Sequence, residues 1–288
     1  MNKKGTILIL TLAFLALLSM NAIYFTYFAR LRTKIWENQI AYYKAYYFAM
    51  TGIDVGKKLL SESKNNYLFL RKLLSNQHYI YTKDGTIKIK IYDMDSQINI
   101  NSLITKKGKS NTRMLTLYKN LLINLGLSTD LSDVLLDWID PNGIPRVFGA
   151  GPEYYQQLTP PYVPSDGPIL STEQLYLLKG YTKKVLLGTK TRPGLLNFVT
   201  TDSDSKINVN TADPLILKSL GYSDDEVNRI LSEREVTPLE LGYLLNLDRN
   251  VTLAGQGIIS TDSHFYKIVS TGYVGKAEKT VSFIVKTK

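Results

Sequence analysis

The stretch Gly5–Ala29, GTILILTLAFLALLSMNAIYFTYFA, holds 25 consecutive positions without a charged side chain. A helix rises about 1.5 Å per residue, so this run is long enough to cross a hydrocarbon core of about 30 Å. In lipid the backbone must satisfy its own hydrogen bonds, which a single helix does. A cleaved secretory signal would have a shorter apolar region followed by a small-x-small site. Here Met20-Asn21-Ala22 puts a methionine where a small residue belongs. The segment is therefore read as a membrane helix. Lys3 and Lys4 precede it, and Arg30, Arg32 and Lys34 follow it, so charge counting leaves its orientation open.

The helix is predicted to continue past the membrane. No proline occurs before Pro141, and Ile35, Ile40, Tyr43, Tyr46, Tyr47, Met50 and Ile53 recur at helical spacing up to about Ser63. Gly52 and Gly56 each cost about 1 kcal/mol relative to alanine. Their spacing also leaves a smooth surface that a sheet could approach closely.

The remainder reads as a soluble body. Asp84-Gly85 is a hairpin signal, with strands predicted at about 79–82 and 86–94 and Ile87, Ile89 and Ile91 on one face. A second strand pair, HFYKIVSTGYV and KTVSFIVKT, closes the chain near Gly275-Lys276. Helices are predicted between them at 111–125, 130–139, 213–220, 224–234 and 238–245. A further one is opened by a capping box of Ser171 and Gln174. Thr237-Pro238 reads as an N-cap followed by proline at the first helical position. Residues 141–168 hold seven of the ten prolines and four glycines. A loop of that length is functional or is held by something such as a metal.

Composition closes off several chemistries. With no cysteine there is no disulfide, thiolate or cysteine-bound zinc. His78 and His264 are the two histidines of the chain and lie far apart in sequence, which disfavours a histidine triad or zinc site. The net charge of +10 comes from scattered lysines and arginines rather than a basic helix, which reads as a solvated face.

One phrase occurs twice, 109 residues apart: Asp95-Ser-Gln-Ile-Asn-Ile-Asn-Ser102 and Asp204-Ser-Lys-Ile-Asn-Val-Asn-Thr211. Each copy is followed by a helix, a glycine (Gly126 or Gly221) and a second helix. Those second helices carry Leu131, Val134 and Leu135, or Val227, Ile230 and Leu231. This is a duplicated helix-turn-helix unit. Asn99, Asn101, Asn208 and Asn210 are predicted to make the turns, with Asn101 and Asn210 capping the following helices. The phrase is structural or also touches a partner. It also resembles the entry to helix-hairpin-helix modules, some of which bind DNA. Here the second glycine of the hairpin is missing, and Asp130 and Asp224-Asp225 stand where a phosphate would arrive. Nucleic acid is therefore a disfavoured partner.

Several segments together resemble the K-type minor pseudopilins of bacterial type II secretion: the leader MNKKG, DWIDPNGIPRVFGAGPEYY at 137–155, PPYVPSDGPILSTEQL at 160–175 and SKINVNTADPLIL at 205–217. The resemblance implies an α+β fold. A long N-terminal transmembrane and pilin helix would pack on a small antiparallel sheet, and a large, mostly helical inserted domain would be built from two related, SAM-like helix-turn-helix units. It divides the chain into a leader (1–5), a membrane half-helix (6–28), pilin helix and first strands (29–95), a first helical unit with the Pro-rich loop (96–203), a second unit (204–257) and C-terminal strands (258–288). Prepilin peptidase would cut after Gly5, leaving Thr6 first and Leu10 fifth, where most pilin-like proteins carry glutamate. A tip subunit has no neighbour above it that needs this carboxylate.

The implied function is non-catalytic. The chain would sit at the pseudopilus tip with I- and J-type minor pseudopilins, start assembly on the inner-membrane platform, and support export of folded periplasmic proteins. It would lie in the inner membrane with its leader cytoplasmic and its body periplasmic. Family members can bind calcium, and the matching positions are Asp137, Asp140, Asn142, Glu153 and Asp166. Gly151 and Pro152 stand where a Glu-Asp pair is common. The alternative for these positions is a plain turn at 140–143 with Asp137 a solvated acid. Two other functions compete: a membrane-anchored DNA-binding protein, and an envelope enzyme with an acid pair.

Overall fold

The computed structural model describes residues 3–105, 107–247 and 257–287. Met1 and Asn2 of the predicted leader lie outside them, as do residues 248–256 of the predicted second unit. The elements follow in chain order: α1 (Lys3–Ser63), α2 (Tyr67–Ser75), β1 (Gln77–Tyr81), β2 (Thr86–Asp93), β3 (Ile98–Asn99), α3 (Thr112–Asn124), α4 (Leu131–Ile139), α5 (Pro152–Gln156), α6 (Lys183–Leu186), β4 (Val199–Thr200), β5 (Ile207–Asn208), α7 (Pro214–Ser219), α8 (Asp224–Glu233), α9 (Leu241–Leu247), β6 (Ile259–Ser260), β7 (Phe265–Val274) and β8 (Ala277–Lys286). Short 3₁₀ turns lie at Ile100–Leu103, Thr172–Leu177 and Leu195–Asn197.

The chain forms two compact units. The first comprises residues 3–56, 78–89 and 269–282. Its helix is the predicted unbroken one: α1 has 61 residues and is long and apolar enough to cross a membrane. Residues 4–40 are exposed throughout. Further along, Ala45, Ala49 and Ile53 are buried against the sheet. That sheet is antiparallel, in the order β1-β2-β7-β8. Ile87 and Ile89 face inward at alternate positions of β2, as the period of two requires. The smooth surface at Gly52 is used, since an added Cβ there would lie 2.0 Å from Ser270 Oγ and 2.7 Å from Ile87 Cγ2.

The second unit comprises the described residues of 57–77, 90–268 and 283–287. Its core is a continuous cluster running from Ile98 through the helices to Ile258. The two predicted helix pairs are present as α3 with α4 and α7 with α8. They are joined through α3 and α7, where Asn120 and Asn124 donate to the backbone oxygen and hydroxyl of Ser219. The loop glycines have positive φ, 64° at Gly126 and 107° at Gly221, which glycine adopts without steric cost. Asn111, Asp213 and Ser223 cap α3, α7 and α8, Ser223 in a full capping box with Glu226.

Two predicted helices differ in form. The one opened by Ser171 is a 3₁₀ turn, with Gln174 N bonded to Ser171 O and Leu178 N to Leu175 O. The one expected to start at Pro238 starts at Leu241 instead. Both backbone groups of Leu239 are bonded to the side chain of Asn210, which keeps residue 239 out of the helix.

Candidate functional site

The repeated phrase builds two copies of one device. In the first, Ile98 and Asn99 pair in parallel with Val199 and Thr200. In the second, Ile207 and Asn208 pair in parallel with Ile259 and Ser260. A parallel pair needs a crossover connection, and each helical unit is that connection. The first asparagine of each phrase makes the turn: Asn101 N donates to Asn99 Oδ1 at 3.0 Å, and Asn210 N to Asn208 Oδ1 at 2.9 Å. The second asparagine does not cap a helix. It clamps two remote strands of chain. Asn101 Nδ2 donates to Ile169 O and Thr201 O, while its Oδ1 accepts from Ile169 N at 2.8 Å. Asn210 Nδ2 donates to Leu239 O and Thr261 O, while its Oδ1 accepts from Leu239 N at 2.8 Å.

The partners of these clamps are a second repeated phrase. Thr200-Thr201-Asp202-Ser203 recurs as Ser260-Thr261-Asp262-Ser263, 60 residues on. In both, the hydroxyl of the first residue accepts the aspartate N–H, at 3.2 Å. Self-comparison of the sequence carries this signal, but the phrase is short and rich in common turn residues.

Asp93, just before the first phrase, and Asp95, its first residue, tie the copies together. Asp95 Oδ1 accepts from Asp204 N, and its Oδ2 accepts from His264 N and Phe265 N. Asp95 also accepts from Asn208 N through its backbone oxygen. Ligand atoms of Asp95, Asp204 and His264 lie within 4.8 Å of one another. They are already engaged with one another and the backbone: His264 Nδ1 meets Asp204 Oδ2 at 2.7 Å, a carboxylate 60 residues away in sequence. Arg234 is buried, and its guanidinium donates to Val209 O and Ala212 O, fastening the second phrase's turn.

Asp93 carries the pH dependence of this hub. Burial pushes its carboxyl up to about 6, and hydrogen bonds from Ser263 and Thr211 offset this only in part. Between about pH 4 and 6 the folded chain thus keeps a proton that the unfolded chain releases. This contribution is full below the unfolded pKa and is lost as pH rises through the folded one. Asp93→Asn does not titrate. It is expected to gain on the wild type between pH 4 and 7 by on the order of 2–3 kcal/mol. Parallel melting-temperature curves for the two proteins across that range would refute this.

The predicted calcium positions are only partly gathered. Asp137 and Asp140 lie on the last turn of α4 and its cap, both buried. Asn142 and Asp166 line the same small cavity, of about 10 Å³, and Glu153 does not. Arg146 reaches both buried acids: its guanidinium donates to Asp137 Oδ1 at 2.7 Å and to Asp140 Oδ2 at 2.8 Å. Burial opposes the guanidinium's charge, and the bonds it donates to Asp140 and Asp137, with the negative charge of both, outweigh this, so its pKa is raised. The Pro-rich loop packs back on α4, where Tyr155 and Tyr162 meet Trp138 edge to face and Ser165 Oγ donates to Trp138 O.

At the hairpin where nucleic acid is disfavoured, the first turn of α8 is Asp224, Asp225 and Glu226, with the first two exposed, so it presents negative charge where a DNA phosphate would approach.

Residues 96–190, which hold Asn101 and the arginine-held loop, match the family model for type II secretion system (T2SS), protein K. The type II secretion system protein K of Aeromonas hydrophila is 26% identical over 218 residues, covering 66% of this chain and 63% of the relative. That of Klebsiella pneumoniae is 28% identical over 141 residues, covering 46% and 41%. The chain thus spans a little under two thirds of the first relative's length and less of the second. In fold, it is similar to a chain of the GspK-GspI-GspJ complex of the enterotoxigenic Escherichia coli type 2 secretion system, with a TM-score of 0.67 and 18% identity over 90% of this chain and 95% of that one. The matched segment and the relatives make the chain similar to type II secretion system protein K, and along most of its length it shares the architecture of a chain from that complex.

Proposed function

We propose that this chain is a minor pseudopilin at the tip of a type II secretion pseudopilus, where it starts assembly and supports export of folded periplasmic proteins. The observation that carries this reading is the match of residues 96–190 to the type II secretion system protein K model, supported by likeness in fold to a chain from a GspK-GspI-GspJ complex. In this reading α1 anchors the chain in the inner membrane, with the leader cytoplasmic and the body periplasmic. Prepilin peptidase cuts between Gly5 and Thr6, and the chain engages the inner-membrane assembly platform. Leu10 leaves no buried carboxylate in the lipid-embedded turn, which suits a subunit with nothing above it. Its partners are I- and J-type minor pseudopilins, and its role is structural rather than catalytic.

The test is co-purification. The full chain, solubilised in detergent with the cognate I- and J-type pseudopilins, is expected to elute as a single species containing all three in equal amounts, as measured by light scattering and mass spectrometry. Elution apart from both partners would overturn the proposal.

A further inference from the structure

We infer that Arg146 is the built-in cation of the loop between α4 and α5, and that this chain holds that loop without a divalent metal. Asp137 and Asp140 are 9% and 2% exposed at the C-terminal end of α4, where the helix dipole is negative and the last turn has no basic residue. Two buried anions there require positive charge. Calcium is one solution, taking six to eight oxygen ligands at about 2.3–2.6 Å. The geometry here is a different one.

One guanidinium bridges the two carboxylates, with one donor to each. The remaining acceptor positions are also occupied. Asp137 Oδ2 accepts from Arg146 N and Ala150 N, both at 3.0 Å. Asp140 Oδ1 accepts from Asn142 N, and Asp140 Oδ2 from Asn142 Nδ2 at 2.7 Å. Asn142 is itself spent on the turn, since its Oδ1 accepts from Ile144 N. The loop is wrapped tightly enough that a Cβ on Gly149 would lie 1.5 Å from Asp137 Oδ2. A cavity of about 10 Å³ holds roughly one water and has no room for a hydrated ion. Of the two remaining predicted ligands, Glu153 is exposed and does not line this cavity, and Asp166 lines it from an exposed position, adding one carboxylate to a site already filled by the Arg146 guanidinium. The donor set therefore does not fit calcium while Arg146 is in place.

The experiment is a thermal-unfolding titration of the full chain in detergent, with 5 mM calcium chloride or with chelator. The wild type is expected to melt within about 1 °C in the two conditions. Arg146→Gln leaves two buried acids without their cation. It is expected to melt on the order of 10 °C lower in chelator and to recover part of that loss in calcium, but not in sodium chloride of equal ionic strength. If Arg146→Gln does not fold, the triple variant Asp137→Asn, Asp140→Asn, Arg146→Gln removes cation and anions together and is expected to fold without calcium. A saturable calcium shift of several degrees in the wild type would overturn the inference. So would an Arg146→Gln variant as stable as the wild type, or a triple variant that also fails to fold.

Discussion

Replacing Asn210 with alanine is expected to destabilise the inserted domain by about 3 kcal/mol. The side chain is 3% exposed and makes three hydrogen bonds, two from Nδ2 and one to Oδ1. Alanine would leave the Leu239 N–H and the Leu239 and Thr261 carbonyls without these partners, in a place water reaches poorly. Leaving a buried backbone group unpaired costs about 1–3 kcal/mol, more than the net worth of a hydrogen bond. Asn210→Asp is expected to be worse still, because it turns a carboxylate toward two carbonyl oxygens. Asn101→Ala removes the equivalent clamp at a half-buried position and is expected to cost less, about 1–2 kcal/mol. Denaturant unfolding followed by fluorescence of the buried Trp138 checks the series. An Asn210→Ala protein within about 0.5 kcal/mol of wild type would rule out the clamp.

Gly272→Val is expected to disrupt the first unit, at a cost of about 3 kcal/mol or more. A Cβ at residue 272 would lie 2.1 Å from Ala45 O, 2.8 Å from Phe48 Cβ and 2.9 Å from Ala49 N. Two of these three atoms belong to the backbone of α1, which has no rotamer to change. The helix must move off the strand, and Ala45, Ala49 and Ile53 lose their burial. Gly52→Ala meets side chains instead, Ser270 Oγ and Ile87 Cγ2, which can rotate; a loss of about 1–2 kcal/mol is expected. Amide exchange in β7 and thermal unfolding distinguish the two. If the variants cost the same, backbone contact is not what seats the helix.

The long apolar helix, the Asp84-Gly85 hairpin and the duplicated helix pairs were all legible in the sequence. Each rests on a local rule: hydrophobic run length, alternation, turn chemistry or self-similarity at a constant offset. The helix expected at Pro238 shows where such rules stop. Thr237-Pro238 is a sound local start, but Asn210, from 29 residues earlier, takes both backbone groups of Leu239, and the helix begins three residues late. The asparagines of the repeated phrase were visible as special, and the identity of Asn99 and Asn208 as turn formers follows from adjacent residues. What Asn101 and Asn210 hold does not follow, because their partners lie 29 to 100 residues away.

The acids at 137, 140, 142, 153 and 166 make the same point for chemistry. Read as a string of oxygen donors, they suit a hard cation. Composition and spacing by themselves determined that a membrane-length helix, two strand pairs and two related helix pairs would form, since those depend on neighbours along the chain. Only the tertiary structure decided which asparagine clamps what, and that Arg146 stands between Asp137 and Asp140. The reason is physical. A buried carboxylate is satisfied by whatever donor the fold brings within about 3 Å, and the sequence records that a donor exists without recording where the folded backbone will carry it.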